Sequence, residues 1–91
     1  MRLVHFEIAG EVQGVGFRAF ARSTAIRLGL AGWVRNLSSG NIECTVAGAA
    51  DAVDAYLAEM RQGPASASVK QIIMLTPPAN PELPSPFTIL K

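Results

Sequence analysis

The chain has 91 residues, 49% of them hydrophobic and 16% charged, and eight basic against seven acidic side chains leave a formal charge of +1. That is enough apolar material for one core and too little chain for two, and the near-neutral balance gives no electrostatic footprint for a nucleic-acid backbone. No apolar run reaches membrane-spanning length, and a single cysteine, Cys44, beside a single histidine, His5, supports neither an internal disulfide nor a zinc arrangement.

Leu3 to Ala9 alternates, with Val4, Phe6 and Ile8 on one face and His5, Glu7 and Ala9 on the other, which predicts a half-buried strand. Phe17, Phe20, Ala21, Thr24, Ala25 and Leu28 then recur at helical spacing up to a stop at Gly29, with Phe17 and Phe20 as core anchors. Gly32 to Leu37 and Asn41 to Ala47 read as two strands joined by a hairpin through Ser38, Ser39 and Gly40. A second helix begins at Asp51, turns Val53, Tyr56, Leu57 and Met60 inward and ends at Gln62, Gly63 and Pro64.

Val69 to Leu75 supplies a fourth strand. Five of the six prolines then fall between Pro77 and Pro86, which predicts an irregular crossing, and Phe87 to Leu90 is a short segment suited to a sheet edge. Strand, helix, strand, strand, helix, strand is the order of the ferredoxin-like α+β sandwich, an antiparallel sheet with two helices on one face, here a single domain over residues 1–91.

Between the first strand and the first helix the chain reads Gly10-Glu11-Val12-Gln13-Gly14-Val15-Gly16-Phe17-Arg18. Glycines at 10, 14 and 16 permit backbone angles that turn successive N–H groups inward, toward the positive end of the coming helix. Arg18 adds a planar fork of donors, which a phosphoryl or carboxylate group accepts in pairs. A Walker loop would place Lys and Ser or Thr directly after its glycines, and Phe17 and Arg18 stand there instead. A second stretch, Gly32-Trp33-Val34-Arg35-Asn36, leads into Leu37-Ser38-Ser39-Gly40-Asn41-Ile42 and later Gly48.

These two stretches, at this spacing, resemble the acylphosphatase family. The resemblance spans residues 10–48 and extends to the strand and helix pattern beyond, including Gly63-Pro64 ahead of Ala67 and Val69. Departures are small: Ala19 stands where many members carry an aromatic, Ile42 where valine is commoner, and the tail from Thr76 to Ser85 is rich in proline. The resemblance implies hydrolysis of the anhydride between a carboxylic acid and phosphate, without cofactor or metal. It assigns the phosphate to backbone N–H groups of Gln13, Gly14, Val15, Gly16, Phe17 and Arg18, a bidentate hold to Arg18, and the attacking water to Asn36. Expected partners are small acyl phosphates and inorganic phosphate, with no nucleic acid and no membrane. The cytoplasm is expected, because the opening residues lack a secretory core, and a monomer is the expected form.

Other residues read as structural. Glu11 is a solvated turn residue, Trp33 a partly buried strand aromatic, Arg35 a solvated or locally paired charge opposite Asn36, His5 a neighbour of the core margin, and Cys44 an inert thiol sharing a face with Ile42 and Val46. The rival reading is a non-catalytic anion-binding or regulatory module on the same fold. Related domains also occur within larger maturation proteins, and a chain ending at Lys91 without a cysteine-rich extension favours the independent enzyme.

Overall fold

A computed structural model describes residues Met1 to Lys91. The elements are β1 (Arg2–Glu11), α1 (Phe17–Arg27), β2 (Ala31–Asn36), β3 (Ile42–Gly48), α2 (Ala50–Gln62), β4 (Ser68–Leu75) and β5 (Thr88–Ile89). They form one five-stranded sheet in the order β4-β1-β3-β2-β5. The first four strands pair antiparallel, whereas β5 lies parallel to β2 through Trp33↔Thr88 and Val34↔Ile89. The expected antiparallel sheet is therefore mixed. The proline-rich crossing brings the chain to the β2 edge in the opposite sense from a hairpin return.

Alternation decides which face each side chain takes. Val4, Phe6 and Ile8 stand opposite Val46, Cys44 and Ile42, and all six are buried beneath the helices. The helix α2 supplies Val53, Tyr56, Leu57 and Met60 to this core, and α1 supplies Phe17, Ala21, Thr24 and Ala25. Burying each large apolar side chain contributes about 1.5–3 kcal/mol. Phe20 is only half-buried and leans edge-on against Phe17, with ring centroids 5.8 Å apart, so one of the two expected anchors borders the core. Phe87, between the crossing and β5, is buried and packs against Tyr56 at 6.2 Å.

Sequence-local devices set the helix ends. At the end of α1 the N–H of Leu30 reaches the carbonyl of Ala25 and the N–H of Gly29 that of Ile26, a Schellman closure around Gly29 at φ 71°. The opposite face of the sheet is mixed, carrying Ile73 and Leu75 beside a charged group: His5, Arg35 and Glu43 meet there, and Trp33 lies under the Arg35 guanidinium at 5.4 Å. Burial alone would raise the Glu43 carboxyl, but hydrogen bonds from His5 and Arg35, with their charges, outweigh it and hold it below its ordinary value. His5 thus sits on the outer face, and Arg35 is locally paired. Cys44 is fully buried, and burial pushes its thiol up to about 12, the value of an unreactive group.

Candidate active site

The strand β1 runs two residues further than its alternation predicts, taking in Gly10 and Glu11. Gly10 lies at a bulge against β4, where a Cβ would come within 2.2 Å of the Ser68 carbonyl oxygen. Its glycine serves close strand approach, so Gly10 is not part of the turn-and-helix loop. That loop begins at Val12. Gly14 and Gly16 have φ of 76° and 78° with open space around them, so it is the left-handed backbone that selects glycine there.

Gly16 is also the N-cap of α1, and it offers no side chain to the first turn, which contains no acidic residue. With glycine as the cap the helix loses only about a few tenths of a kcal/mol against a capping side chain, and its leading N–H groups stay open to an outside acceptor. Phe17 turns into the core, and the helical step of about 100° then carries Arg18 and Ala19 round toward solvent. The Arg18 side chain enters none of the four salt bridges of the chain, which join Arg2–Asp54, His5–Glu43, Arg27–Glu59 and Arg35–Glu43.

Asn36 is the last residue of β2 and has the parity of Val34, so it faces the helix side, just past the point where the core ends. Its exposed side chain makes no hydrogen bond within the chain. A cleft of about 240 Å³ joins these pieces: Gly14, Gly16, Phe17, Arg18 and Asn36 line it together with Val12, Ala19 and Ile89. That volume lies below the roughly 300–1,000 Å³ of pockets for drug-sized ligands, so the occupant is small.

Two of the expected residues, Gln13 and Val15, do not line the cleft. The Gln13 amide Nε2 turns away and donates to the carbonyls of Leu37 at 2.7 Å and Asn41 at 2.9 Å, tying the loop to the β2–β3 hairpin. Asn41 in turn donates from Nδ2 to Glu7 Oε1 at 2.9 Å. Val15 packs against the core, and its carbonyl accepts a hydrogen bond from Ser66 Oγ at 2.8 Å. The loop is therefore anchored on both sides, which fixes the direction of its N–H groups.

Of the lining residues that sequence reasoning missed, Ala19 had a signal in its place beside Arg18. Val12 is buried and borders the cleft from the core side. Ile89 had no local signal, because only the parallel pairing of β5 with β2 brings it there.

Comparison with known proteins gives a consistent result. The acylphosphatase family model matches residues 4–89. The acylphosphatase of Alcanivorax borkumensis is 50% identical over 74 residues, covering 81% of this chain and 80% of that protein. The crystal structure of acylphosphatase from Bacillus subtilis superposes with a TM-score of 0.90 at 31% identity and covers 100% of both chains. That of an acylphosphatase from Coxiella burnetii gives 0.86 at 32% identity, over 97% of this chain and 90% of that one. A glycine loop opening onto an uncapped helix, an unpaired arginine on its first turn and an asparagine at the facing strand end thus sit in a chain whose length, topology and sequence all match, and the chain belongs to the acylphosphatase family.

Proposed function

We propose that this protein hydrolyses acyl phosphates and that the cleft between the 12–18 loop and the end of β2 is where it does so. The observation that carries this reading is the convergence of Arg18 and Asn36, from different elements, on one small cleft whose floor is an uncapped helix N-terminus. In the reaction a water oxygen forms a bond to phosphorus while the phosphorus–oxygen bond to the acyl group breaks. The products are a carboxylate and inorganic phosphate, and both protons of the water end on the phosphate.

The phosphoryl group of the substrate is held by the Arg18 guanidinium and by backbone N–H groups of Gly14, Gly16, Phe17 and Arg18, the expected loop residues that line the cleft, while Gln13 and Val15 anchor the loop. The charge that builds on its equatorial oxygens then faces donors already in place. Asn36 orients the water, its carbonyl oxygen accepting a hydrogen bond from one of the water's O–H groups. Its amide is no base at neutral pH, so the proton passes to a phosphate oxygen. A carboxylate is a good leaving group, which is why positioning and charge stabilisation suffice without a histidine or a carboxylate pair. The proposed acting form is a monomer. No helix is long and apolar enough to cross a membrane, and the proposed setting is the cytoplasm.

The test is turnover of benzoyl phosphate by purified protein in excess chelator, with inorganic phosphate as competitor. Metal-independent turnover inhibited by phosphate is expected. A strict magnesium requirement would reject the proposed charge balance, and phosphate binding without turnover by folded protein would establish the non-catalytic anion-binding module instead.

A further inference from the structure

The cleft has two unlike ends. Gly14, Gly16, Arg18 and Asn36 give it donors, while its remaining lining is hydrophobic. Within that apolar part, Val12 and Phe17 are each only 1% exposed and offer almost nothing to an occupant. The apolar surface that a ligand can touch therefore comes from Ala19, exposed on the first turn of α1, and from Ile89, half-buried on β5. No carboxylate lines the cleft, and Arg18 is its one cationic side chain.

We infer that Ala19 and Ile89 form the wall that receives the acyl group, so that the protein prefers acyl phosphates with a compact, uncharged, apolar acyl part, aromatic or branched aliphatic, over those with a second anionic group. This rests on the acyl phosphate reading of the site and adds to it the class of acyl group. With its phosphoryl end against the loop and Arg18, the substrate directs its carbon end past Ala19 and Ile89, the apolar surface that the cleft leaves accessible. A second anionic group placed there meets Ala19 and Ile89, which return none of the hydration it gives up. An apolar acyl group instead removes their surface, and its own, from water.

The wall is fixed in place. Ile89 stands beside Val34 in the parallel β2–β5 ladder, the N–H of Leu90 donates to the Val34 carbonyl at 2.8 Å, and Phe87 anchors the segment in the core. Ala19 gains its importance from its size. A larger side chain there would project over the same path.

The experiment measures kcat/KM for benzoyl, acetyl and succinyl phosphate, with the inhibition constant of inorganic phosphate, in wild type, Ile89→Ala and Ala19→Lys. Comparing each variant with wild type on the same pair of substrates cancels their intrinsic reactivities. Ile89→Ala should lower the benzoyl-to-acetyl ratio by about three- to tenfold, the low end for apolar truncation because this wall is open on one side. Phosphate inhibition should stay within about twofold, since that end of the site is untouched. Ala19→Lys changes an exposed helix position at little risk to folding and should raise the succinyl-to-benzoyl ratio about tenfold by pairing the added carboxylate. Unchanged ratios in both folded variants would overturn the wall. So would an altered phosphate constant at unchanged ratios, which would place Ile89 against the phosphoryl end of the cleft instead of the acyl end. If folded wild type hydrolyses none of the three, the hydrolase reading fails first and the wall with it, a result distinct from turnover with unchanged ratios.

Discussion

The side-chain amide of Gln13 donates to the main-chain carbonyl of Leu37 at 2.7 Å, and Leu37 is the residue that follows Asn36. One hydrogen bond thus links the glycine loop to the strand end that carries Asn36. Both carbonyls that Gln13 reaches keep a second donor, since Gly40 N–H bonds Leu37 and Leu37 N–H bonds Asn41. Gln13→Ala should therefore cost only about 1–2 kcal/mol in stability. Its larger effect should be on register between loop and hairpin, with kcat falling at least about tenfold and phosphate affinity moving less. Gln13→Glu should be worse than Gln13→Ala, because it turns acceptors toward two carbonyl oxygens. Steady-state kinetics beside urea denaturation check this, and turnover unchanged in folded Gln13→Ala would remove Gln13 as a positioning residue.

Arg18 enters no internal ion pair, so its substitution tests the site with little structural confusion. Arg18→Ala should weaken phosphate binding and turnover together, by roughly two orders of magnitude or more, given ~1.5–3 kcal/mol for each hydrogen bond to a charged group. Arg18→Lys should recover only part, since a point charge lacks the two directed donors. Phosphate inhibition constants and kcat for both variants decide this, and near-normal values for Arg18→Ala would take it out of the site.

Asn36 should behave differently. Its side chain is exposed and unbonded within the chain, so Asn36→Ala should leave the unfolding temperature nearly unchanged. Turnover should fall by about 10²–10³, the scale of one lost oriented donor, while phosphate affinity changes little. Asn36→Asp should not restore activity, because it adds negative charge beside an anionic substrate. Equal losses of affinity and turnover would reassign Asn36 to the anion grip.

The outer-face ion pairs make a pH prediction. The folded Glu43 carboxyl lies below its ordinary value of 4.5, so as pH falls the unfolded chain takes up that proton first. The contribution of Glu43 is therefore fully present above the ordinary value and is lost as pH falls through the folded value. The stability gap between wild type and Glu43→Gln, about 1–3 kcal/mol near neutrality for bonds to a charged group, should narrow steadily below pH 4.5. Urea denaturation across pH 2–7 measures it, and a gap independent of pH would show that the carboxylate charge contributes nothing.

Much of this was written locally in the chain. The alternation of Val4, Phe6 and Ile8, the spacing of Val53, Tyr56, Leu57 and Met60, and Gly29 at the end of α1 specify their elements through periods and backbone angles that need no distant partner. Arg18 stood out locally as a forked donor directly after the glycine turn, whereas Asn36, by its local pattern a strand-end residue, was marked out only by the resemblance of the two stretches to the acylphosphatase family. Tertiary structure decided what depends on pairing between remote segments. Gly10 is a bulge glycine only because β4 passes against it, and the Gln13 side chain faces away from the cleft because the hairpin carbonyls lie within reach. Ile89 reaches the cleft because β5 returns parallel to β2, a contact between residues more than fifty positions apart whose register no local periodicity encodes.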